Sequence, residues 1–135
     1  MNKIIILVGI PASGKSTLAK QLQQQCEDSV VISKDNIREQ YSIQWGQQQD
    51  FVSKQENQLL MNAINENKKV IIIDDSNLKK ETRDKLKQIA TQHGYETETI
   101  FMNTKLDECI KRNKQRDKHI PTESLITAQQ MLEQD

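Results

Sequence analysis

The residues best suited to chemistry stand near the amino terminus, in the segment Gly9-Ile-Pro-Ala-Ser-Gly-Lys-Ser-Thr17. This segment satisfies the pattern G-x-x-x-x-G-K-[ST], follows an apolar run and opens a helical pattern. Its glycines let backbone N–H groups converge on phosphate oxygens, and the helix that follows directs its positive dipole end at the same oxygens. We therefore predict a loop that binds the phosphates of a nucleotide.

Each side chain of this loop has an expected role. Lys15 should reach the β- and γ-phosphates of ATP, the Ser16 hydroxyl should ligate Mg²⁺, and Thr17 should donate to an α-phosphate oxygen. The predicted ATP-binding set is completed by Gly9, Ser13 and Gly14.

The loop alone leaves open whether the chain is a kinase, an ATPase or a GTPase. Thr104-Lys-Leu-Asp107 matches the N/T-K-x-D pattern with which GTPases recognise guanine. The D-x-x-G that should accompany it after the third apolar run is missing, because Asp74-Asp75-Ser76-Asn77 contains no glycine. We therefore favour a kinase or ATPase over a GTPase.

An acid and an arginine follow the second apolar run, in Lys34-Asp35-Asn-Ile-Arg38. Ligands of open parallel sheets bind beyond the carboxyl ends of the strands, so Asp35 should lie near the γ-phosphate. Three residues apart on a first helical turn, Asp35 and Arg38 would face the same way. A carboxylate there could take the proton of an attacking hydroxyl, and an arginine could hold an anionic acceptor. By position alone, Asp35 fits a helix N-cap and Arg38 a surface residue equally well.

Two acids end the third apolar run, in Asp74-Asp75-Ser76-Asn77. Both acids should lie at the same edge of the sheet as Asp35. One of them could order the water shell of magnesium or orient Arg38. Two loop acids beside a turn are the alternative.

A basic segment at about residues 112–121 predicts a small lid. Arg112 and Arg116 lie four apart at the end of a helical pattern, and arginines in such lids stabilise transition-state charge. A solvated face accounts equally well for Lys114 and Lys118, so neither receives a role. We treat both histidines as structural or surface residues.

Short apolar runs rich in β-branched residues predict the strands that position these groups. Because the runs are continuous rather than alternating, they indicate strands buried on both faces, as in a parallel sheet. The predicted strands are Ile4–Val8, Val30–Ile32, Val70–Ile73 and, more weakly, Glu98–Met102; the predicted helices are Leu18–Cys26, Ser53–Asn67, Glu81–His93 (closed by Gly94 as C′), Leu106–Asn113 and Thr122–Gln134.

The alternation of strands and helices predicts one domain over residues 1–135 with an α/β, three-layer P-loop kinase fold. We expect a four- to five-stranded, mostly parallel sheet with helices on both faces and the basic lid. The glutamine-rich stretch Gln40–Gln58 has no sharp period in its first half. It is either a loop that contacts the acceptor or a solvated helical hairpin.

Composition narrows the class of protein without selecting a partner. Lys plus Arg and Asp plus Glu number 19 each, so net charge argues neither for nor against a polyanionic ligand. Cys26 and Cys109 match no metal or redox spacing, and no run approaches the roughly 20 apolar residues that span a bilayer. We expect a soluble cytoplasmic protein without membrane contact, and no protein partner can be inferred. The sequence identifies no base-stacking platform, since aromatics are few and Trp45 is the one tryptophan.

Together these blocks resemble the phage-type polynucleotide 5′-hydroxyl kinase, the kinase half of the phage end-healing polynucleotide kinase/phosphatase. The lid between Arg116 and Pro121 is shorter than the family's by about one residue, and Gln44–Gln58 matches poorly. The family's best-known member continues into a 3′-phosphatase domain at the point where this sequence ends. We therefore expect no phosphatase activity. The matching blocks, in the family's order, are Gly9–Thr17, Lys34–Arg38, Val70–Leu78, His93–Tyr95, Ile110–Asn113, Arg116 and Ile120-Pro121 with the tail helix.

The resemblance implies transfer of the γ-phosphate of ATP, with Mg²⁺, to the 5′-hydroxyl end of DNA or RNA. Asp35 is then implied as the general base, Arg38 as the group that grips a phosphate of the acceptor strand, and Asp75 as the acid that positions Arg38. Ser76 and Asn77 match acceptor-side positions. Arg116 matches the lid arginine on the donor phosphates, with Arg112 in support.

Two other functions stay open. Related small P-loop kinases carry the same Asp/Arg plan and phosphorylate a metabolite, nucleoside, sugar or antibiotic. A binding module in which ATP only orders the lid would bind the nucleotide without acceptor-dependent turnover.

Overall fold

The computed structural model describes residues 2–117 and 119–134. Their strands form one sheet in the order β2-β3-β1-β4, and every neighbouring pair is parallel. Ile4 and Ile5 of β1 lie opposite Ile71 and Ile72 of β3. The strands are β1 (Lys3–Val8), β2 (Ser29–Ile32), β3 (Val70–Ile73) and β4 (Glu96–Phe101).

Helices cover both faces of this sheet, as predicted. On one face, Ile4, Ile6 and Val8 pack with residues of α3 and α4; on the other, Ile5 and Leu7 pack with α1. Successive side chains of a strand point to opposite faces, so a continuous apolar run fills both layers. The helices are α1 (Lys15–Gln24), α2 (Lys34–Gln40), α3 (Gln49–Asn65), α4 (Lys80–Gln92), α5 (Leu106–Gln115) and α6 (Thr122–Gln134).

A separate apolar cluster lies beyond the carboxyl end of the sheet. Ile10 of the glycine-rich loop packs there with Cys109 of α5, Leu125 and Ala128 of α6, and Ile120 between the two helices. This cluster fastens the last two helices to the loop that follows β1.

Several elements differ from the sequence prediction. The helix α1 begins at Lys15 rather than Leu18, α3 begins at Gln49 rather than Ser53, and α2 extends beyond the first helical turn that was predicted. β4 begins at Glu96, two residues before the predicted start. The glutamine-rich stretch is neither a loop alone nor a hairpin: α2 ends at Gln40, an irregular segment follows, and α3 begins at Gln49. The predicted C′ position of α4 is confirmed, because Gly94 has φ +75° and follows the C-cap His93. No helix of the described residues is long and apolar enough to cross a membrane.

Candidate active site

The glycine-rich loop connects β1 to α1, and the space around Gly9 admits no side chain. A Cβ at Gly9 would lie 2.6 Å from Ser13 Oγ and 2.9 Å from Met102 Cβ. The backbone N–H of Gly9 donates to the carbonyl of Ser76 at 3.1 Å. Gly14 takes φ +99°, a conformation that favours glycine. The two glycines of the motif therefore have different reasons: Gly9 has no space for a Cβ, and Gly14 has a positive φ.

Lys15 lies folded against this loop. Its Nζ donates to the carbonyl of Ile10 at 2.9 Å, and the side chain is 9% exposed. Burial lowers the pKa of Lys15, while the negative charge of Asp74 acts in the opposite direction. A buried cation held by a backbone carbonyl is well suited to exchange that contact for phosphate oxygens.

Ser16 and Asp74 meet at the carboxyl end of the sheet. Ser16 Oγ donates to Asp74 Oδ2 at 3.0 Å, and Asp74 is 8% exposed. Burial raises the pKa of Asp74, and the hydrogen bond from Ser16 and the charge of Lys15 lower it. A hydroxyl and a carboxylate beside a phosphate loop are hard oxygen ligands of the kind that Mg²⁺ prefers, so these two residues fit that ion.

Asp35 and Arg38 both lie on α2, but neither has the structural role that position alone allowed. The N-cap of α2 is Ser33, whose hydroxyl accepts from the backbone N–H of Asn36 at 3.1 Å. The Asp35 side chain is therefore free of capping and 71% exposed. The Arg38 side chain is only 11% exposed; one terminal nitrogen lies 3.7 Å from Asp35 Oδ1, and its Nε is buried without a hydrogen-bond partner among the described residues.

Asp75 lies on the other side of the strand end from Asp74, against α2 and α3. Its Oδ1 accepts from the backbone N–H of Lys34 at 2.9 Å, and Lys34 Nζ lies 3.7 Å from Oδ2. The same Nζ lies 3.0 Å from Glu56 Oε1. Burial and the neighbouring Glu56 carboxylate raise the pKa of Asp75 well above its ordinary value.

This arrangement differs from the one that the resemblance implies. Within residues 2–117 and 119–134, no Arg38–Asp75 ion pair closer than 4 Å is formed; Asp75 contacts Lys34 and Glu56 instead. Burial alone would lower the pKa of Lys34, but its two carboxylate neighbours raise it above the ordinary value. A direct role of Asp75 in orienting Arg38 stays a prediction.

Sequence reasoning did not identify Glu56, and it did not predict that Asp74 and Asp75 lie on different faces of the sheet. Strand alternation could have divided them: Ile72 packs on the α1 face and Ile73 on the α3 face, so Asp74 and Asp75 two residues later continue those faces. No comparable signal marks Glu56, because its contact with Lys34 depends on how α3 packs.

The loop after β3 is held by buried polar contacts. The Asn77 side-chain amide donates to the carbonyl of Leu7 at 2.7 Å, and Asn77 is 7% exposed. Arg83 of α4 donates to the carbonyls of Asn77 and Leu78 at 3.0 and 2.7 Å. The Asn77 amide nitrogen is thus used within the fold, whereas Ser76 and Asn77 both line the cavity described below.

The Thr104-Lys-Leu-Asp107 segment supports the phosphate loop. Thr104 Oγ1 donates to the carbonyl of Ser13 at 2.8 Å, and Asp107 is exposed in the first turn of α5. This placement explains the threonine without a guanine site.

The lid arginines approach the same loop from α5. Arg112 lies in the last turn of α5, with Nε 3.2 Å from Glu108 Oε1, and a terminal nitrogen lies 3.7 Å from where a Gly14 Cβ would sit. Arg116 is the C-cap of α5. Lys118, inside the predicted lid, lies outside the described residues.

A buried asparagine pins the segment that carries Arg116. Asn113 Nδ2 donates to the carbonyl of Ile120 at 2.7 Å, and Asn113 Oδ1 accepts from the backbone N–H of Ile120 at 3.1 Å. Asn113 is 1% exposed. One amide thus ties the last turn of α5 to Ile120, two residues before the start of α6.

One cavity of about 1680 Å³ is lined by most of the predicted site residues. It brings together most of the predicted ATP-binding side chains, Asp35 and Arg38 of α2, both acids after β3 and both lid arginines; Gly9 is not part of the lining. It also takes in residues that sequence reasoning had not assigned, from the segment between α2 and α3. The cavity is lined by Ser13, Gly14, Lys15, Ser16, Thr17, Lys34, Asp35, Arg38, Gln44, Trp45, Gln49, Asp74, Asp75, Ser76, Asn77, Arg112 and Arg116, among others.

The arrangement of loop, acids and lid agrees with what comparison finds. The family model described as an AAA domain (AAA_33) matches residues 4–134. The chain belongs to this P-loop family. Its sheet and helices are those of an α/β P-loop kinase, and the resemblance to polynucleotide kinases noted in the sequence is confirmed at the level of family and fold.

The names of two proteins similar to this chain indicate different phosphate acceptors. The L-seryl-tRNA(Sec) kinase of Methanococcus maripaludis is 32% identical over 89% of this chain and 48% of its own length. The protein of Autographa californica nuclear polyhedrosis virus named as a bifunctional polynucleotide kinase/RNA ligase is 25% identical over 89% of this chain and 19% of its own length. The chain therefore spans about half or less of these relatives.

Among solved structures, a chain of the Pnkp1/Rnl/Hen1 RNA repair complex superposes with a TM-score of 0.81. It is 22% identical, and the match covers 98% of this chain and 44% of that one. At this identity the likeness establishes the fold.

Proposed function

We propose that this chain is an ATP-dependent kinase that transfers the γ-phosphate to the 5′-hydroxyl end of DNA or RNA. One observation carries the proposal: an exposed carboxylate, Asp35, and a buried arginine, Arg38, share a helical turn on the wall of the phosphate-loop cavity. That combination suits an acceptor with a hydroxyl to deprotonate and a phosphate nearby to hold.

The donor side is formed by the glycine-rich loop and its neighbours. Lys15 exchanges its contact with the Ile10 carbonyl for the β- and γ-phosphates of ATP, and Arg112 and Arg116 approach from the lid. Ser16 and Asp74 are the residues that would hold Mg²⁺, which when bound neutralises charge on the donor phosphates.

The acceptor side performs the proton transfer. Asp35 takes the proton of the 5′-hydroxyl while the hydroxyl oxygen of the acceptor forms a bond to the γ-phosphorus. The bond from that phosphorus to the oxygen bridging the β- and γ-phosphates breaks, and ADP leaves. Lys15 and the lid arginines stabilise the charge that spreads over the transferred group.

The cavity has room for an acceptor beside the nucleotide donor. Sites for small molecules usually enclose about 300–1,000 Å³. The cavity here, about 1680 Å³, leaves space beside a nucleotide for part of a strand. A metabolite kinase would need this space to close over its acceptor.

A second candidate acceptor is the hydroxyl of a seryl group carried by tRNA. The observation that favours it is the 32% identity to the L-seryl-tRNA(Sec) kinase over 89% of this chain. The same residues would serve, since the acceptor is again a hydroxyl attached to a nucleic acid. Only the group that presents the hydroxyl differs.

Transfer of labelled γ-phosphate from ATP, with Mg²⁺, tests these proposals. The acceptors are 5′-hydroxyl DNA, 5′-hydroxyl RNA, seryl-tRNA and a panel of metabolites. Labelled 5′ ends establish the polynucleotide kinase, and a label on seryl-tRNA alone selects the second candidate. Binding of ATP without a label on any acceptor supports the non-catalytic binding module and contradicts both proposals.

Asp35→Asn identifies the base. We expect kcat to fall roughly 10²- to 10⁴-fold while the Kd for ATP is unchanged, because only proton transfer is removed. The matched control is Asp50→Asn, in the exposed first turn of α3 and not itself part of the cavity lining. Turnover of Asp35→Asn within about threefold of the parent would exclude Asp35 as a general base.

A further inference from the structure

An aromatic side chain on the acceptor side of the cavity has no role in the reaction described so far. Trp45, the one tryptophan of the chain, is 49% exposed. It lines the same cavity as Lys34, Asp35 and Arg38. Tryptophan is highly buried on average, so an exposed indole on the wall of a binding cavity indicates a ligand surface.

The backbone around Trp45 forms a hydrogen-bonded turn. The N–H of Gln47 donates to the carbonyl of Gln44 at 3.0 Å, with Trp45 and Gly46 between them. Gly46 has φ +81°, the conformation that a type II turn requires at its third residue. Trp45 therefore occupies the second position of a defined turn.

This turn is fixed to the helix that carries Asp35 and Arg38. The N–H of Ile43 donates to the backbone carbonyl of Arg38 at 2.8 Å. At the base of the segment, the ring of Tyr41 packs edge-on against that of Phe51, with ring centroids 5.0 Å apart and an interplanar angle of 90°. The end of α2 and the start of α3 are thus joined, which holds the turn beside the acceptor residues.

The chemistry of the surrounding side chains matches a nucleotide. Arg38 offers a cation for a phosphate, and Gln44 and Gln49 line the cavity with amides that can donate to and accept from the edges of a base. An exposed indole offers a flat apolar face to the base itself. A nucleobase can cover that face completely.

We propose that Trp45 is the stacking platform for one of the first two bases of the acceptor strand. This inference rests on the proposed polynucleotide kinase activity and adds a group that recognises nucleic acid. Every base has a π-face, so stacking on Trp45 adds affinity for a strand while tolerating any terminal sequence.

The first test compares KM for 5′-hydroxyl oligonucleotides in the parent, Trp45→Ala and Trp45→Phe. Loss of one stacked base contact predicts a rise in KM of roughly 5- to 100-fold for Trp45→Ala, and Trp45→Phe should recover most of it. Because Trp45 does not touch the transferred phosphoryl group, kcat should stay within about threefold. Leu59→Ala is the matched control, an exposed apolar residue of α3 outside the cavity lining (42% exposed).

Strands that lack the first, the second or both bases separate stacking from a general loss of fold. The parent should lose affinity for the strand with the critical base removed, and Trp45→Ala should not distinguish that strand from the intact one. Equal effects of Trp45→Ala on intact and abasic strands would overturn the platform.

The emission of Trp45 provides a readout that needs no turnover. A 5′-hydroxyl oligonucleotide added without ATP should change the intrinsic fluorescence of the parent, because the only tryptophan is the proposed contact. A strand without its first two bases should change it far less. Equal changes with both strands, or none, would overturn the platform.

These outcomes separate the two proposals. A parent that labels intact and abasic strands with the same KM overturns the platform and leaves the kinase standing. A parent that labels no strand overturns the kinase, and the platform is then decided by the emission alone.

Discussion

Replacing Asn113 by alanine should free the lid segment and show how much its position contributes to stability and turnover. The Asn113 amide makes two hydrogen bonds, at 2.7 and 3.1 Å, to the carbonyl and N–H of Ile120. Asn113 is 1% exposed and Ile120 7% exposed. Alanine at position 113 would therefore leave one donor and one acceptor of the backbone buried without their partner.

The magnitude follows from these two groups. Each buried polar group left unsatisfied costs about 1–3 kcal/mol, and the exposed neighbours of Ile120 let water relieve part of that. We expect the free energy of unfolding to fall by about 2–3 kcal/mol in total. For a chain of this length that corresponds to a decrease in Tm of roughly 6–12 °C.

Thermal unfolding and amide exchange measure the two consequences. The Tm of Asn113→Ala should fall, and the amide of Ile120 should exchange faster than in the parent. Asn65→Ala, at an exposed position near the end of α3, is the matched control and should change Tm by less than about 2 °C.

The same variant should reduce kcat more than it weakens ATP binding, because Arg116 lies in the segment that Asn113 pins. A Tm within about 2 °C of the parent, with unchanged exchange at Ile120, would refute the assignment of Asn113 as a structural clamp.

Two further predictions follow from the phosphate loop and the strand end. Gly9→Ala should weaken ATP binding roughly 5- to 100-fold by isothermal titration, because its Cβ would lie 2.6 Å from Ser13 Oγ and 2.9 Å from Met102 Cβ. An unchanged Kd for ATP would contradict this prediction, because it would show that the loop can shift to make space for the Cβ. For Asp75, burial and Glu56 raise the pKa, so the folded chain keeps a proton that the unfolded chain releases. That contribution to stability is present below the ordinary carboxyl pKa and is lost as pH rises through the raised pKa. The difference in Tm between Asp75→Asn and the parent should therefore increase from about pH 4 to about pH 8, and a difference independent of pH would contradict this.

The parts of the fold that the sequence predicted depend on local patterns. The phosphate loop needs only its glycines and the run before it. The strands β1 to β3 were visible because the runs are apolar on both faces. β4 was harder to place, since its first three residues, Glu96 to Glu98, are exposed and carry little pattern.

The parts that escaped prediction depend on packing between distant segments. In α3, the buried residues Val52 and Leu60 are separated by six polar side chains and the exposed Leu59, so the helix showed no period at its start. The contact of Lys34 with Glu56 joins α2 to that helix. The position of Trp45 on the wall of the cavity depends on how the segment between α2 and α3 folds, which no local sequence pattern indicates.

The order β2-β3-β1-β4 has a consequence for how the protein is made. β1 pairs with β3 and β4, whose first residues lie 67 and 93 positions further along the chain in the observed registers. As the chain leaves the ribosome, its first strand and the loop after it appear long before either partner. Met102, Thr104 and Asp74, which surround or support the loop, follow late as well. A nascent chain therefore acquires a nucleotide-binding loop only after most of the sheet has been synthesised, and until then the apolar strand β1 lacks its partners and is exposed to chaperones.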